Sequence, residues 1–309
     1  MMYWIRYAML AVSVFFLVYV ALSAIVAGAW YGLKRLRLLE SAAALFTLRI
    51  LPMAGSLLVV VLVTIPSFWS LEPSGTDEGV SLPAALLFGA GAAWLASRGV
   101  TIFASFRQAS KFFALASPSM QPLDVASPVS AYELPVDGPN LFLAGLWRPR
   151  LLISRGAMEM LDAQEMKAAI RHELAHAQSR DNIKQLVVRF CAFPLLGSLD
   201  REWSRAAEVA ADDNAVTDEL GAADLASALI KVGTASTRLQ VPELGMSLVP
   251  EADAPVSARV QRLLDWKPNP RRGGHAAQLC LLLFPAGIVA FNLVWLMTQM
   301  HRFTEILFQ

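Results

Sequence analysis

Cysteine is nearly absent from this chain: Cys191 and Cys280 are its two thiols, each among apolar neighbours and neither in a Cys-x-x-Cys pair. That excludes a disulfide framework and a cysteine-rich zinc site, and both side chains are expected to be buried and free. Charge is scarce as well, at 17% of residues, and 26 Lys and Arg against 25 Asp and Glu leave a formal net charge of +1. A nucleic-acid backbone rewards a strongly basic surface, so no nucleic-acid partner is expected. What fills the sequence instead is apolar: 56% hydrophobic residues and a mean hydropathy of +0.48 exceed what an ordinary soluble domain carries. Part of the chain is expected to lie in a lipid bilayer.

A helical span needs about 20 mostly apolar residues. The run from about Tyr7 to Gly32 has no charge inside it and is too long for the apolar core of a cleaved signal peptide, despite the small residues near Ala27 and Ala29. Further runs extend from about Ile50 to Leu71, from about Ser81 to Phe106 and from about Gln278 to Met300, giving about four transmembrane helices. Short loops rich in Lys and Arg stay in the cytoplasm. The first loop holds Lys34, Arg35 and Arg37 with Arg49 at its far end, whereas the second holds Glu72, Asp77 and Glu78. Arg98, Arg107 and Lys111 follow the third run, and Lys267, Arg271 and Arg272 precede the fourth. The expectation is an integral membrane protein with both termini outside and the long segment between the third and fourth runs in the cytoplasm.

The chain therefore divides into 1–111, three membrane helices; 112–275, a cytoplasmic domain; and 276–309, a fourth helix with a short outer tail. Within the domain, Ser117 to Pro139 is rich in Pro and Ser and reads as linker and loops. Strand-like runs lie at Ala131 to Val136, Leu141 to Leu146 and Leu151 to Ser154. Asp162 and Glu165 have the spacing of a capping box opening a helix from Ala163 to about Ser179.

That helix carries the motif HELAH. Residues four apart share a helix face, so His172 and His176 can converge on one cation, and two imidazoles at this spacing suit zinc. Glu173 is rotated away from that line, where it can act on a water as general base. A pair of surface histidines with an incidental glutamate would give the same letters. A catalytic zinc also needs a third protein ligand and an open position. Glu208, on another expected helix, is the candidate, with Asp212 one turn on to hold a ligating histidine by its other ring nitrogen. The competing reading of Glu202, Glu208, Asp212 and Asp213 is an acidic, solvated helix face. Asp181 is expected as a helix N-cap or a contact behind a ligand. Tyr132, Arg180 and Arg205 are unranked candidates for stabilising an oxyanion. Trp147 and Trp203 are expected to pack in the interior, and His275 and His301 to sit at membrane interfaces without a metal role.

Four stretches together resemble the BlaR/MecR-type membrane zinc metallopeptidases, which include bacterial antibiotic-sensing receptors, and more distantly the HtpX-like and CaaX-prenyl-protein-type proteases. They are GLWRPRLLIS from Gly145, AAIRHELAH from Ala168 with Asp181 beyond it, Glu208 through Asp212, and RVQRLL from Arg259. The resemblance implies a mainly α membrane protein with an α+β gluzincin-like (zincin) peptidase domain between the third and fourth helices. It implies Zn2+ held by His172, His176 and Glu208, with Glu173 as catalytic base. Leu151 to Ser154 would then be an edge strand to which a substrate chain adds. A cytoplasmic repressor, the protein itself or another membrane protein would all suit such a site as substrate, and the Pro/Ser-rich stretch Ser117 to Pro128 is a candidate region for self-cleavage. The receptors carry an outer sensor domain after the fourth helix. Here only His301 to Gln309 follow, so the chain is not expected to bind a β-lactam covalently. The alternatives are a latent zinc-containing membrane signal transducer, or a scaffold, without proteolytic activity.

Overall fold

The computed structural model describes residues 2–36, 39–71, 81–125, 127–235, 245–247, 256–267, 298–299 and 302. Several expected features lie outside these residues: the fourth membrane run apart from 298 and 299, the acidic loop at Glu72, Asp77 and Glu78, the cations Arg37, Arg271 and Arg272, Cys280, His275 and His301. The chain divides into two compact units, one of residues 1–100, 191–200 and 273–309 and one of residues 101–190 and 201–272.

The first unit holds α1 (Met2–Leu36), α2 (Ala42–Val59), a π-helical turn at Val60–Thr64 and α3 (Ile65–Leu71), and it includes the first part of α4 (Leu82–Ala116). Among the described residues, three helical stretches are long and apolar enough to cross a membrane: Ile5–Arg35, Ala42–Ser67 and Leu82–Ser119. Ser41 caps α2 through its side chain, which accepts from the Ala44 amide. The second helix thus begins well before the expected apolar run, because Arg49 lies inside it. Arg49 is fully buried and ion-paired with Asp200, a carboxylate that offsets the desolvation of a charge within an apolar helix. The hydroxyl of Tyr19 donates to the Cys191 carbonyl at 2.5 Å, and Trp30 Nε1 donates to Ser198 Oγ at 3.0 Å, tying α1 to the segment 191–200. Cys191 is a buried free thiol, as its apolar neighbourhood implies.

The second unit is built on a five-stranded mixed sheet: β1 (Gln121–Leu123), β2 (Ala131–Leu134), β3 (Leu141–Ala144), β4 (Arg150–Ser154) and β5 (Gly245–Ser247), in the order β1-β2-β4-β3-β5. β4 runs parallel to β2, pairing Leu152 with Tyr132, and antiparallel to β3, pairing Leu152 with Phe142. This corrects the expected edge at Leu151 to Ser154. The run is the centre of the sheet, buried along all four residues, as a continuously apolar strand without a solvent face should be. The edges are β1, in a stretch that reads from sequence as loop, and β5, which pairs antiparallel with β3.

Side chains alternate across β3. Leu141 faces a core shared with Leu151, Ile153, Ala169, Leu225 and Leu229, whereas Phe142 and Ala144 face Leu134, Leu152 and the end of α4 at Phe112, Phe113 and Ala116. Helices α5 (Arg155–Met160), α6 (Ala163–Ser179), α7 (Asp181–Phe190), α8 (Gly197–Ala215), α9 (Glu219–Thr234) and α10 (Val256–Leu264) follow, α8 beginning in the first unit. Gly156 is obligatory at the start of α5, since a Cβ there would fall 1.8 Å from the Asp137 carbonyl oxygen. Trp203 is buried as expected, but Trp147 is 83% exposed. It occupies the turn between β3 and β4, where Gly145 adopts φ 105 and no second layer of structure covers the indole among the described residues.

Candidate metal centre

The site grows from the start of α6. Asp162 accepts from the Gln164 and Glu165 amides at 2.8 and 3.0 Å, and Glu165 returns the bond to the Asp162 amide at 2.9 Å. This satisfies amide donors that a helix N-terminus leaves unpaired. Glu165 also receives Ser227 Oγ at 2.5 Å and Lys231 Nζ at 2.6 Å, fixing α6 against α9. Its carboxyl consequently lies below the usual range: burial raises it, and the Lys231 and Ser227 contacts outweigh that.

In its last two turns, α6 places His172, Glu173 and His176 in the interior, with at most 1% of each exposed. The two imidazoles meet edge to face with Nε2 atoms 3.2 Å apart. Glu208, on α8, brings Oε2 to 3.5 Å from His172 Nε2 and Oε1 to 3.6 Å from His176 Nε2. The small residues Ala207 and Ala211 on α8 are themselves buried, consistent with a close approach of the helices. His172, His176 and Glu208 are a group able to hold a metal ion, with donor atoms within 4.8 Å of one another.

Each ring has a carboxylate behind it, the one at His176 in hydrogen-bond geometry and the one at His172 within ion-pair reach. His172 Nδ1 is 3.0 Å from Asp212 Oδ1, and His176 Nδ1 is 2.9 Å from Asp181 Oδ2. Asp181 reaches back because Arg180 takes the left-handed conformation (φ 54), ending α6 and starting α7 in one residue. Asn182 beside it donates to the carbonyls of Leu143 at 3.3 Å and Gly145 at 2.8 Å, holding the end of β3. β3 in turn gives the Leu143 amide to Glu173 Oε2 at 3.1 Å.

A carboxylate beside each Nδ1 favours the tautomer with its proton there, so that both Nε2 lone pairs point at one place. The Glu208 carboxylate points there too, and neither of its oxygens nor Glu173 Oε1 has a directed hydrogen bond. Converging lone pairs and a buried carboxylate that meets His172, His176 and Arg259 in ion-pair contacts but not in directed hydrogen bonds form an arrangement that a divalent cation completes. Two imidazoles and one carboxylate are a donor set suited to zinc and leave a position open. Without a cation the same field is met by protons. Burial opposes charge on His172, but Asp212 and Glu208 push it up to about 9, while burial pushes Glu173 up to about 8. Burial would raise Glu208 too, yet His176, His172 and Arg259 hold it below the usual carboxylate range.

Arg259 is the residue that sequence reasoning left out of the site. Buried on α10, it donates from Nη2 to Asp212 Oδ1 at 2.6 Å and from Nε to Asp212 Oδ2 at 2.9 Å, and its Nη1 lies 2.9 Å from Glu208 Oε2. Arg262, one turn on, pairs with Asp213. The available signal was two arginines three apart in RVQRLL, matched to adjacent acids far upstream. Of the other candidates, Arg180 and Arg205 are exposed, Arg205 pairing with Glu202 at 3.1 Å, and Tyr132 lies on β2 under the Arg150 guanidinium.

The class these features define is a membrane protein whose second unit holds a buried His/His/Glu metal-binding group beside a small mixed sheet. The chain belongs to the BlaR1 peptidase M56 family, whose family model matches residues 93–263, just over half its length. It is also similar to a protein named Protease HtpX homolog from Aquifex aeolicus (strain VF5), 38% identical over 52 residues, or 16% of this chain. The match spans 17% of that relative's length.

Proposed function

We propose that this protein is a membrane-anchored zinc metalloendopeptidase, with His172, His176 and Glu208 as ligands and Glu173 as general base. The observation that carries it is the convergence of two Nε2 atoms and one carboxylate at a single point, each imidazole backed by a carboxylate. When bound, zinc supplies Lewis-acid polarisation of the scissile carbonyl and lowers the pKa of water. Asp212 and Asp181 orient the two histidines. Glu173, anchored through one oxygen to the Leu143 amide, keeps the other to take up a proton and deliver it to the departing amine.

The site lies in a peptidase domain of about residues 112–275, placed in the cytoplasm by the basic residues that flank it, in a bacterial inner membrane. Its substrate is a protein, a cytoplasmic repressor or the chain itself, in signalling or regulated proteolysis. For self-cleavage, the exposed residues of the Pro/Ser-rich stretch among those described are Ser117, Pro118, Ser119, Gln121, Pro122, Asp124 and Pro128. One observation favours a second reading, a latent zinc-containing signal transducer or scaffold: His172, Glu173, His176, Glu208 and Asp212 are all buried. A substrate would have to move a covering segment to reach them.

Metal content of the detergent-purified chain, measured beside His172→Ala and Glu208→Ala and with a protease assay on a denatured general substrate, separates these readings. One zinc per chain, lost in both variants and accompanied by cleavage, is expected. Zinc without cleavage would move the conclusion to the latent reading, and no zinc would return it to the scaffold.

Zinc affinity is expected to rise with pH. The raised pKa of His172 means that below about 9 its folded, metal-free form carries a proton, which the cation must displace. Affinity should therefore climb about tenfold per pH unit from pH 6 to 8. Chelator competition at these pH values checks this, and a flat profile would mean that no proton leaves the ligands.

A further inference from the structure

Between Arg189 and Asp200 the sequence FCAFPLLGSL carries no charge. Such a run is about half the length a bilayer-crossing helix needs, and it suits a buried or re-entrant segment instead. Residues on either side of it belong to the second unit, yet residues 191–200 group with the membrane helices α1 and α2 in the first. The contacts that hold it there are specific. The Tyr19 hydroxyl donates to the Cys191 carbonyl at 2.5 Å, and the Tyr19 ring meets that of Phe193 edge to face at 5.8 Å. Trp30 Nε1 donates to Ser198 Oγ at 3.0 Å, and Arg49 of α2 pairs with Asp200.

The charges of α1 set the depth of these contacts. Arg6 and Lys34 bound its uncharged stretch. Wherever a hydrocarbon layer of about 30 Å, or about 20 residues, is placed between them, Tyr19 falls at least about 7 Å inside it. Trp30 falls near the edge, about 16 Å further along the helix, at a depth that favours tryptophan. α4 agrees: Trp94, about 18 Å along the span that begins at Leu82, packs against the Tyr19 ring at 4.6 Å. The segment thus extends into hydrocarbon from Ser198, beside Trp30, to Cys191, beside Tyr19. Backbone groups at that depth need partners within the protein. The Tyr19 hydroxyl serves the Cys191 carbonyl just past the end of α7, and the Leu196 amide donates to the Phe193 carbonyl at 3.0 Å. Pro194, at the start of that turn, brings no amide to satisfy. The exposed side chains of the segment are apolar: Pro194 and Leu195, the latter 51% exposed.

We propose that residues 191–199 are a re-entrant membrane segment whose Pro194 and Leu195 lie against lipid acyl chains, at a depth between those of Trp30 and Tyr19. The Arg49–Asp200 pair fastens its shallow end. This adds a bilayer contact to the transmembrane spans, in the connection between α7, which opens with Asp181, and α8, which carries Glu208. It needs α1 to span the bilayer and is independent of the zinc reading.

The test uses the full chain with Cys191→Ala and Cys280→Ala, in lipid nanodiscs that leave both faces open to reagents. Leu195→Cys, at an exposed position, carries a nitroxide. Its collisions with oxygen, which concentrates in hydrocarbon, and with a water-soluble nickel chelate are compared with those of labels at Val61→Cys in the second span and Leu220→Cys in the second unit, both exposed. An oxygen-to-nickel ratio like that at Val61, and on the order of tenfold above that at Leu220, is expected where water is excluded. A second measurement needs no nitroxide: Leu195→Cys should react with a charged maleimide only after detergent dissolves the lipid, whereas Leu220→Cys reacts at once. A ratio equal to that at Leu220, with fast maleimide reaction, would overturn the proposal by placing the segment in water. Few collisions with either reagent would overturn it as well, since protein and not lipid would then cover Leu195.

Discussion

Glu173→Gln is expected to keep one zinc per chain while proteolysis falls by about 10²–10⁴-fold, the usual contribution of a positioned general base. The substitution preserves shape, and the Leu143 amide, 3.1 Å from Glu173 Oε2, still finds an acceptor in a glutamine oxygen. What is lost is the capacity to take up a proton. Burial already destabilises the Glu173 carboxylate, pushing its pKa to about 8 in the metal-free site, so the group holds and releases a proton within the range where the enzyme would work. A nearby divalent cation favours the charged form and lowers that value, leaving the carboxylate available as a base. Zinc content and the rate on a denatured substrate are measured on the same preparation. A parental rate would place the base on another residue, and loss of zinc along with activity would make Glu173 part of the metal-holding structure instead.

The helical part of this architecture was readable from residues because its signals are local. The Asp162/Glu165 box, the four-residue spacing of His172 and His176 and the long apolar runs each act within a few turns of one helix, and helix starts, ligand spacing and membrane length follow from them. Sheet order is a long-range property. LLIS reads as a strand either at an edge or at the centre, and only its parallel partner, β2, decides between them. Trp147 exposes the limit of composition: burial preference describes an average tryptophan, whereas a glycine-started turn beside α4 fixes this one outward. Arg49 reads as the end of a loop because charge argues against a membrane helix, and the counterion that reverses the argument, Asp200, lies 151 residues away. The same holds for Arg259, 47 residues from Asp212.

Arg259→Met is expected to destabilise the metal-free protein by about 3–5 kcal/mol, the cost of leaving buried charge without its partner. The guanidinium fork occupies both oxygens of Asp212 and touches Glu208, so removing it takes a full charge from two carboxylates with no access to water and leaves them facing the imidazoles of His172 and His176. Its Nη2 also lies 3.5 Å from His172 Nε2, a nitrogen proposed above as a zinc ligand. Guanidinium and metal therefore answer the same local negative potential, and zinc should recover part of what the variant loses. The rise in thermal midpoint on adding zinc is thus expected to be larger in Arg259→Met than in the parent. Arg259→Lys should fall between them, since an ammonium keeps the charge but cannot span both Asp212 oxygens. Methionine matches the apolar stem, so packing of α10 against α9 is retained, and Arg262 with Asp213 still pins α10 to α8. An equal zinc-induced shift in parent and variant would mean that Arg259 only fastens two helices. A larger shift would mean that α10 brings to the metal site a charge that holds the ligand cluster together until the cation binds.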